Sequence, residues 1–262
     1  MSAPGITSVP VTGLLVCALL VLATIALSRR ERLGLERDLV IGALRTLIQL
    51  LLVGYVLSAI FRLDRALVVL GVLALMLGVA ARTASRRVPP SLSGIFPITL
   101  LALTGSSIAV LVFVTQFVLR VPRWFEPRVV IPLAGMIIGN AMNGAALAAE
   151  RLAGEVAARR AEIEALLALG ATAPRAARSA VRASLRAALI PTVNGLMTVG
   201  LVHLPGVMTG QILGGASPLV AVRLQVVIMY MLTATVAFAS LGVVLLARRR
   251  LFTPAHQLRE PR

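Results

Sequence analysis

Lysine is absent from this 262-residue chain, and cysteine occurs once, at Cys17. A P-loop needs a lysine to reach the phosphates of a nucleotide, and no glycine-rich loop of that pattern occurs either, so any ATP hydrolysis must be done by another polypeptide. One cysteine excludes an intrachain disulfide and a thiolate metal cluster. Cys17 sits in an apolar run and reads as a packed thiol. The Leu14-Leu15-Val16 that precedes it resembles a lipoprotein cleavage site only weakly, because Met1–Pro10 carries no side-chain charge where a secretory signal has a basic start. Charge is scarce: 14% of residues are charged, against about a quarter in a soluble domain. Acid is scarcer still, with ten Asp and Glu against 26 basic residues. No acid lies clearly inside an apolar run; Asp38, Asp64, Glu126 and Glu150 stand at the edges. A proton- or sodium-coupled carrier usually needs a buried carboxylate as relay. HExxH, GxSxG and paired intramembrane acids are also missing, which leaves a membrane enzyme little support.

What remains is apolar. Hydrophobic residues make up 58% of the chain, and the reading is an all-α, polytopic integral membrane protein. Its residues 1–262 form one transmembrane domain. A span needs roughly 20 apolar residues, and seven segments qualify: Val9–Leu27, Leu39–Ile60, Ala66–Ala81, Leu92–Leu119, Val129–Ala149, Ala187–Leu204 and Leu219–Ala247. The basic residues fall in clusters between them, which marks membrane topology rather than a nucleic-acid surface. On one side lie Arg29, Arg30, Arg32 and Arg37, then Arg82, Arg86 and Arg87, then seven arginines from Arg151 to Arg186, then Arg248, Arg249, Arg250, Arg259 and Arg262. The other side has only Arg62, Arg65, Arg120, Arg123 and Arg128. Nineteen against five, by the positive-inside rule, puts the C-terminus in the cytoplasm and the N-terminus outside a plasma (inner) membrane.

The one long polar insertion, residues 150–188, divides into two helices. Leu152, Val156, Ile163, Leu166 and Leu167 recur at helical spacing up to Leu169, Gly170 supplies a C-cap, and Thr172 followed by Pro174 restarts a helix. Arg175, Arg178, Arg182 and Arg186 then form one basic stripe. Such a stripe serves either anionic lipid or a soluble partner.

Polar side chains at membrane depth are costly and therefore candidates for function. Arg45 and Gln49 share a face of the second span. Asn140 and Asn143 sit mid-span in GMIIGNAMNG, where Gly135-x-x-x-Gly139 would let another helix approach and an asparagine would bond across the contact, or else line a cation path. Asn194 follows Pro191, and His203, Met208 and Gln211 gather near the outer end of the sixth span, where packing competes with metal ligation.

Glu164-Ala165 with Gly170 six residues after the glutamate resembles the EAA---G signature of ABC importer permeases. Pro191 comes later than that motif would place it. A closer resemblance, to the FetB-type permease family, runs through Arg45-x-x-x-Gln49-Leu50, Ile131-Pro132-Leu133-Ala134-Gly135-Met136-Ile137-Ile138-Gly139-Asn140-Ala141-Met142, Leu169-Gly170-Ala171-Thr172, Arg186 to Thr192 and Leu204 to Ile212, departing at His203 and Val207. The resemblance implies export of iron or another metal, with plant relatives linked to aluminium tolerance. It further implies a homodimer and a cytoplasmic ABC ATPase that binds ATP and Mg, with Glu162, Glu164, Gly170 and Thr172 at the coupling contact. An ATP-independent metal carrier or channel is the alternative.

Overall fold

Small residues set the closest helix contacts in the computed structural model, which describes residues 11–92, 94–253, 255 and 257–259. The described residues form ten α-helices in order: α1 Val11–Arg30, α2 Glu36–Leu63, α3 Ala66–Arg86, α4 Phe96–Val112, α5 Pro127–Ala158, α6 Arg160–Ala168, α7 Ala173–Ala176, α8 Arg178–Thr198, α9 Gly206–Leu213 and α10 Pro218–Leu251. No strand is formed among the described residues. A single π-helical turn, Phe113–Val118, prolongs α4.

The core lies where α5 meets α10, flanked by α4, α8 and α3. Gly144 brings α5 so near α10 that a Cβ there would stand 2.7 Å from Val236 Cγ1 and 3.1 Å from Ser240 Oγ. Gly242 does the same for α10 against α4, with Ala102 Cβ 3.1 Å away. Without water between helices, close van der Waals packing through such residues is what holds membrane helices together. The buried face of α5 accordingly alternates Ala134, Ala141, Ala145, Ala148 and Ala149 with Ile137 and Leu152.

α1 and α2 stand apart. α1 packs on α2, and α2 only lightly on α3 and α5. Leu44, Leu47, Leu50, Leu51 and Tyr55 are all exposed. Cys17, read from sequence as packed, is exposed on α1. A helix that is apolar all round yet uncovered by its own chain has its solvent in lipid or in a neighbouring subunit.

Contacts fix which helix ends lie together. At one end Arg123, after α4, pairs with Asp64 at the close of α2 and with Glu126 at the opening of α5, the latter at 3.1 Å. At the other end Arg250, closing α10, donates to the Gly94 carbonyl just before α4 at 2.9 Å. Arg87, closing α3, reaches Asn143 of α5 there at 3.3 Å. This second end is the arginine-rich one.

Among the described residues, six helices are long and apolar enough to cross a membrane: α1, α2, α3, α4 with its π-turn, α5 and α10. The predicted sixth segment, Ala187–Leu204, is not among them. Its helix stops at Thr198, and the chain turns through Val199–Leu204, where Gly200 N donates to the His203 carbonyl at 3.0 Å. The reason is composition. α8 carries Arg178, Arg182 and Arg186 at one end and Pro191 and Asn194 near the other, leaving 187–198 as its apolar part, about 18 Å at 1.5 Å per residue. Other boundaries shift outward: α3 runs past Ala81 to Arg86, and α5 past Ala149 to Ala158. Val9 and Pro10, where the first predicted span begins, lie outside the described residues, as do the rest of the Met1–Pro10 tail and Arg262.

Candidate functional site

The insertion grows directly out of α5. The predicted amphipathic helix from Glu150 to Leu169 is two helices, because α5 continues to Ala158 and breaks at Arg159 before α6. Leu152, Val156 and Ile163 are buried as their spacing implied. The break has an electrostatic clasp. Arg159 Nε bonds Glu155 at 3.0 Å and its Nη1 lies 3.7 Å from Glu162, while Arg160 Nε meets Glu164 at 2.7 Å. The hydrogen bond to Glu155, then the charges of Glu155 and Glu162, raise the Arg159 pKa above its ordinary value.

Gly170 closes α6 with φ +86°. Its N–H donates to Leu167 O at 3.0 Å and Ala171 N–H to Leu166 O at 3.0 Å, the paired bonds of a Schellman cap. No atom would meet a Cβ at Gly170, so the backbone angle alone demands glycine. Thr172 is exposed, with extended backbone, and caps nothing by its side chain. Sequence reasoning used Leu169 only as the end of the helix, whereas it is 84% exposed at the tip of this elbow. A leucine outside the apolar stripe of Leu152, Val156, Ile163, Leu166 and Leu167 was the available signal. The basic stripe is also interrupted: Arg175 belongs to α7, and Ala177 separates it from Arg178, Arg182 and Arg186 on α8.

The structure scatters the intramembrane candidates over several helices. Arg45 and Gln49 share an exposed face of α2, and neither has a polar partner among the described residues. Asn140, exposed on α5, donates through Nδ2 to Met136 O of its own helix at 2.9 Å, so within one chain it bridges no helices. Its motif neighbour Gly135 does allow close approach, with Met76 Cε 3.4 Å from a Cβ placed there, whereas Gly139 faces open space. Asn143 is exposed and accepts from Arg87. Pro132, Asn140 and Asn143 therefore lie on a face of α5 that the chain leaves uncovered. Asn194 is exposed on α8, which continues straight through Pro191.

His203 lies exposed in the turn after α8, while Met208 and Gln211, one turn apart on α9, are half-buried. Among the described residues no three His, Cys, Asp or Glu side chains gather as a metal site would require. Gln211 Oε1 is enclosed without a hydrogen-bond partner, as are Gln225 Oε1, Ser107 Oγ and Ser240 Oγ. Gln225, only 6% exposed on α10, was missed; an amide inside the 219–247 apolar run was signal enough. α9 packs on α10, so two amides with unpaired oxygens belong to adjoining helices at the end opposite the arginines.

Comparison with known proteins places these features in a lineage. The model of UPF0014, an uncharacterised protein family, matches residues 11–252. A UPF0014 membrane protein of Synechocystis is 42% identical over 236 residues, covering 90% of this chain and 91% of that one. A protein of Escherichia coli named probable iron export permease protein FetB is 37% identical over 247 residues, 94% of this chain and 93% of its own. The Arabidopsis thaliana protein named ALUMINUM SENSITIVE 3 is 35% identical over 238 residues, 91% and 86% of the two chains. No solved structure matches.

Proposed function

The chain belongs to the UPF0014 family of multi-pass membrane proteins, and from that premise we propose that it is the membrane subunit of an ATP-driven exporter of iron or another metal. It acts as a homodimer with a separate cytoplasmic ABC ATPase. The observation that carries this reading is the elbow. α6, Gly170 and α7 form a rigid corner with one apolar side chain, Leu169, at its tip. They are mounted on α5, a helix continuous with the membrane core. A push on that corner passes through α6 and the clasped break at Arg159 into α5, which then runs unbroken to Asn143 and Asn140.

Chain direction completes the topology. α5 runs toward the arginine-rich end and α10 runs toward that same end, so residues 178–217 must return to the opposite side before α10 begins. α8 makes that return in this proposal, as a seventh crossing packed on α5 and α10 along one side, with Ile190, Val193 and Met197 exposed along the other for the second copy of the homodimer to cover. A Cβ placed at Gly195 would stand 4.0 Å from Met229 Cε of α10. A polar, proline-containing helix is tolerated in a bilayer when protein rather than lipid surrounds it. The arginine-rich end then faces the cytoplasm, with the N-terminus outside.

The uncovered amides mark the path. A metal ion moving between two copies would meet the exposed Asn140 and Asn143 of each, whose amide oxygens are reasonable ligands for a hard cation. Coexpression with an ABC ATPase subunit from the same organism, followed by purification from detergent, tests the proposal. The two proteins should copurify, and everted vesicles should accumulate iron only with ATP. Accumulation without any ATPase would establish a carrier or channel instead.

A further inference from the structure

We propose that the last turn of α10 and the C-terminal tail form a binding pocket for a phosphate-bearing anion. After Leu251 the chain doubles back: Thr253 N–H donates to Gln257 O at 2.8 Å, Gln257 N–H to Thr253 Oγ1 at 3.1 Å, and Arg259 N–H to Leu251 O at 2.9 Å. Phe252 is buried, and Leu258 packs against the core cluster, so the fold-back is anchored on both strands. The result is a concavity of about 400 Å³ walled by Pro174 of α7, Arg248 and Arg249 of α10, Phe252, Thr253 and Arg259.

Three arginines line one small hollow, and none of them has a carboxylate partner among the described residues. In the neighbouring insertion, Glu155, Glu162 and Glu164 are already paired with Arg159 or Arg160. Like charges held together by a folded tail repel one another, so an arrangement of this kind calls for a counter-anion. Arginine forks match a phosphate geometrically, and the Thr253 hydroxyl adds a neutral donor beside them. Arg248 directly follows the apolar run of α10. That position suits a phospholipid headgroup, while a soluble phosphate ester offers the same chemistry. The inference rests on membrane placement alone and not on metal transport.

The experiment uses the purified full-length chain in detergent. Native mass spectrometry would count retained phosphatidylglycerol against phosphatidylcholine, and thermal unfolding would follow added inorganic phosphate. Arg259→Gln lies beyond the last helix and leaves insertion intact, so it serves as the primary variant beside the Arg248→Gln/Arg249→Gln/Arg259→Gln triple. About a tenfold loss of phosphatidylglycerol retention in Arg259→Gln, the loss of one charge-assisted hydrogen bond, supports the pocket with lipid as source. Stabilisation of the wild type by phosphate, absent in the variant and without retained lipid, supports it with a soluble source. Equal behaviour of wild type and triple variant in both measurements overturns it. So does an equal loss from Arg29→Gln/Arg30→Gln/Arg32→Gln, which would mean general charge attraction. Binding gained only by Glu260→Gln overturns it too, since the chain's own carboxylate would then fill the site.

Discussion

At the scale of single residues, geometry separates positions that hold the fold from positions free to act. Gly144 belongs to the first kind. A valine there places carbon against Val236 where 2.7 Å is already too close for any Cβ. Gly144→Val should therefore cost about 1–3 kcal/mol by overpacking, visible as lower folded yield and a lower unfolding temperature. Asn140 belongs to the second kind. Its side chain is exposed and bonds only Met136 O of its own helix, so Asn140→Ala should change stability by no more than about 0.5 kcal/mol, as surface changes do. ATP-dependent metal efflux from the same, normally assembled protein should fall. Parallel losses of folding and efflux would return Asn140 to a structural role. The sequence could not separate these two residues, since both lie in one GNAMNG motif and only the helix phase tells them apart.

At the scale of elements, the insertion shows what periodicity can and cannot reveal. Gly170 was legible because a helix that must end in a left-handed residue almost dictates glycine. The break at Arg159 was not legible. Leu152, Val156 and Ile163 keep one helical phase across the break, and a kink that preserves the buried face leaves no trace in that phase. The corner itself is testable. Gly170→Val forces a β-branched residue to φ +86°, a strain of roughly 1–3 kcal/mol confined to the elbow. The apolar helices are untouched, so membrane level should remain near normal while ATPase copurification is lost. Leu169→Asp should do the same with no backbone strain, because it replaces only the exposed tip. If both variants copurify the ATPase as well as wild type does, the elbow is not the docking element.

At the scale of the whole molecule, the question is how many times the chain crosses. Apolar run length found six of the crossing helices, because lipid demands long uninterrupted hydrophobic sequence from any helix it touches. It ran past the end of α8 at Thr198 within Ala187–Leu204 and said nothing of how loosely α1 and α2 are held, since exposure to lipid and burial in protein select the same residues. α8 lies against α5 and α10 chiefly through its arginine-bearing half, where Ala180 and Ser184 are buried with Ala188 just beyond, while Ile190, Val193 and Met197 are exposed. Parity then gives a sharp test. If α8 returns the chain across the membrane, a cysteine placed at Gly200 and one placed at Gly170 lie on opposite sides. With Cys17 replaced by serine, an impermeant maleimide applied to intact cells should label the first and spare the second. Everted vesicles should reverse the pattern. Gly200 already has φ +82°, so Leu201, which is 89% exposed beside it, is the better carrier of the label. Labelling of both positions from the same side would leave α8 on the membrane surface and α10 entering from the arginine-rich end. The contact between Arg250 and Gly94 could not then form as observed.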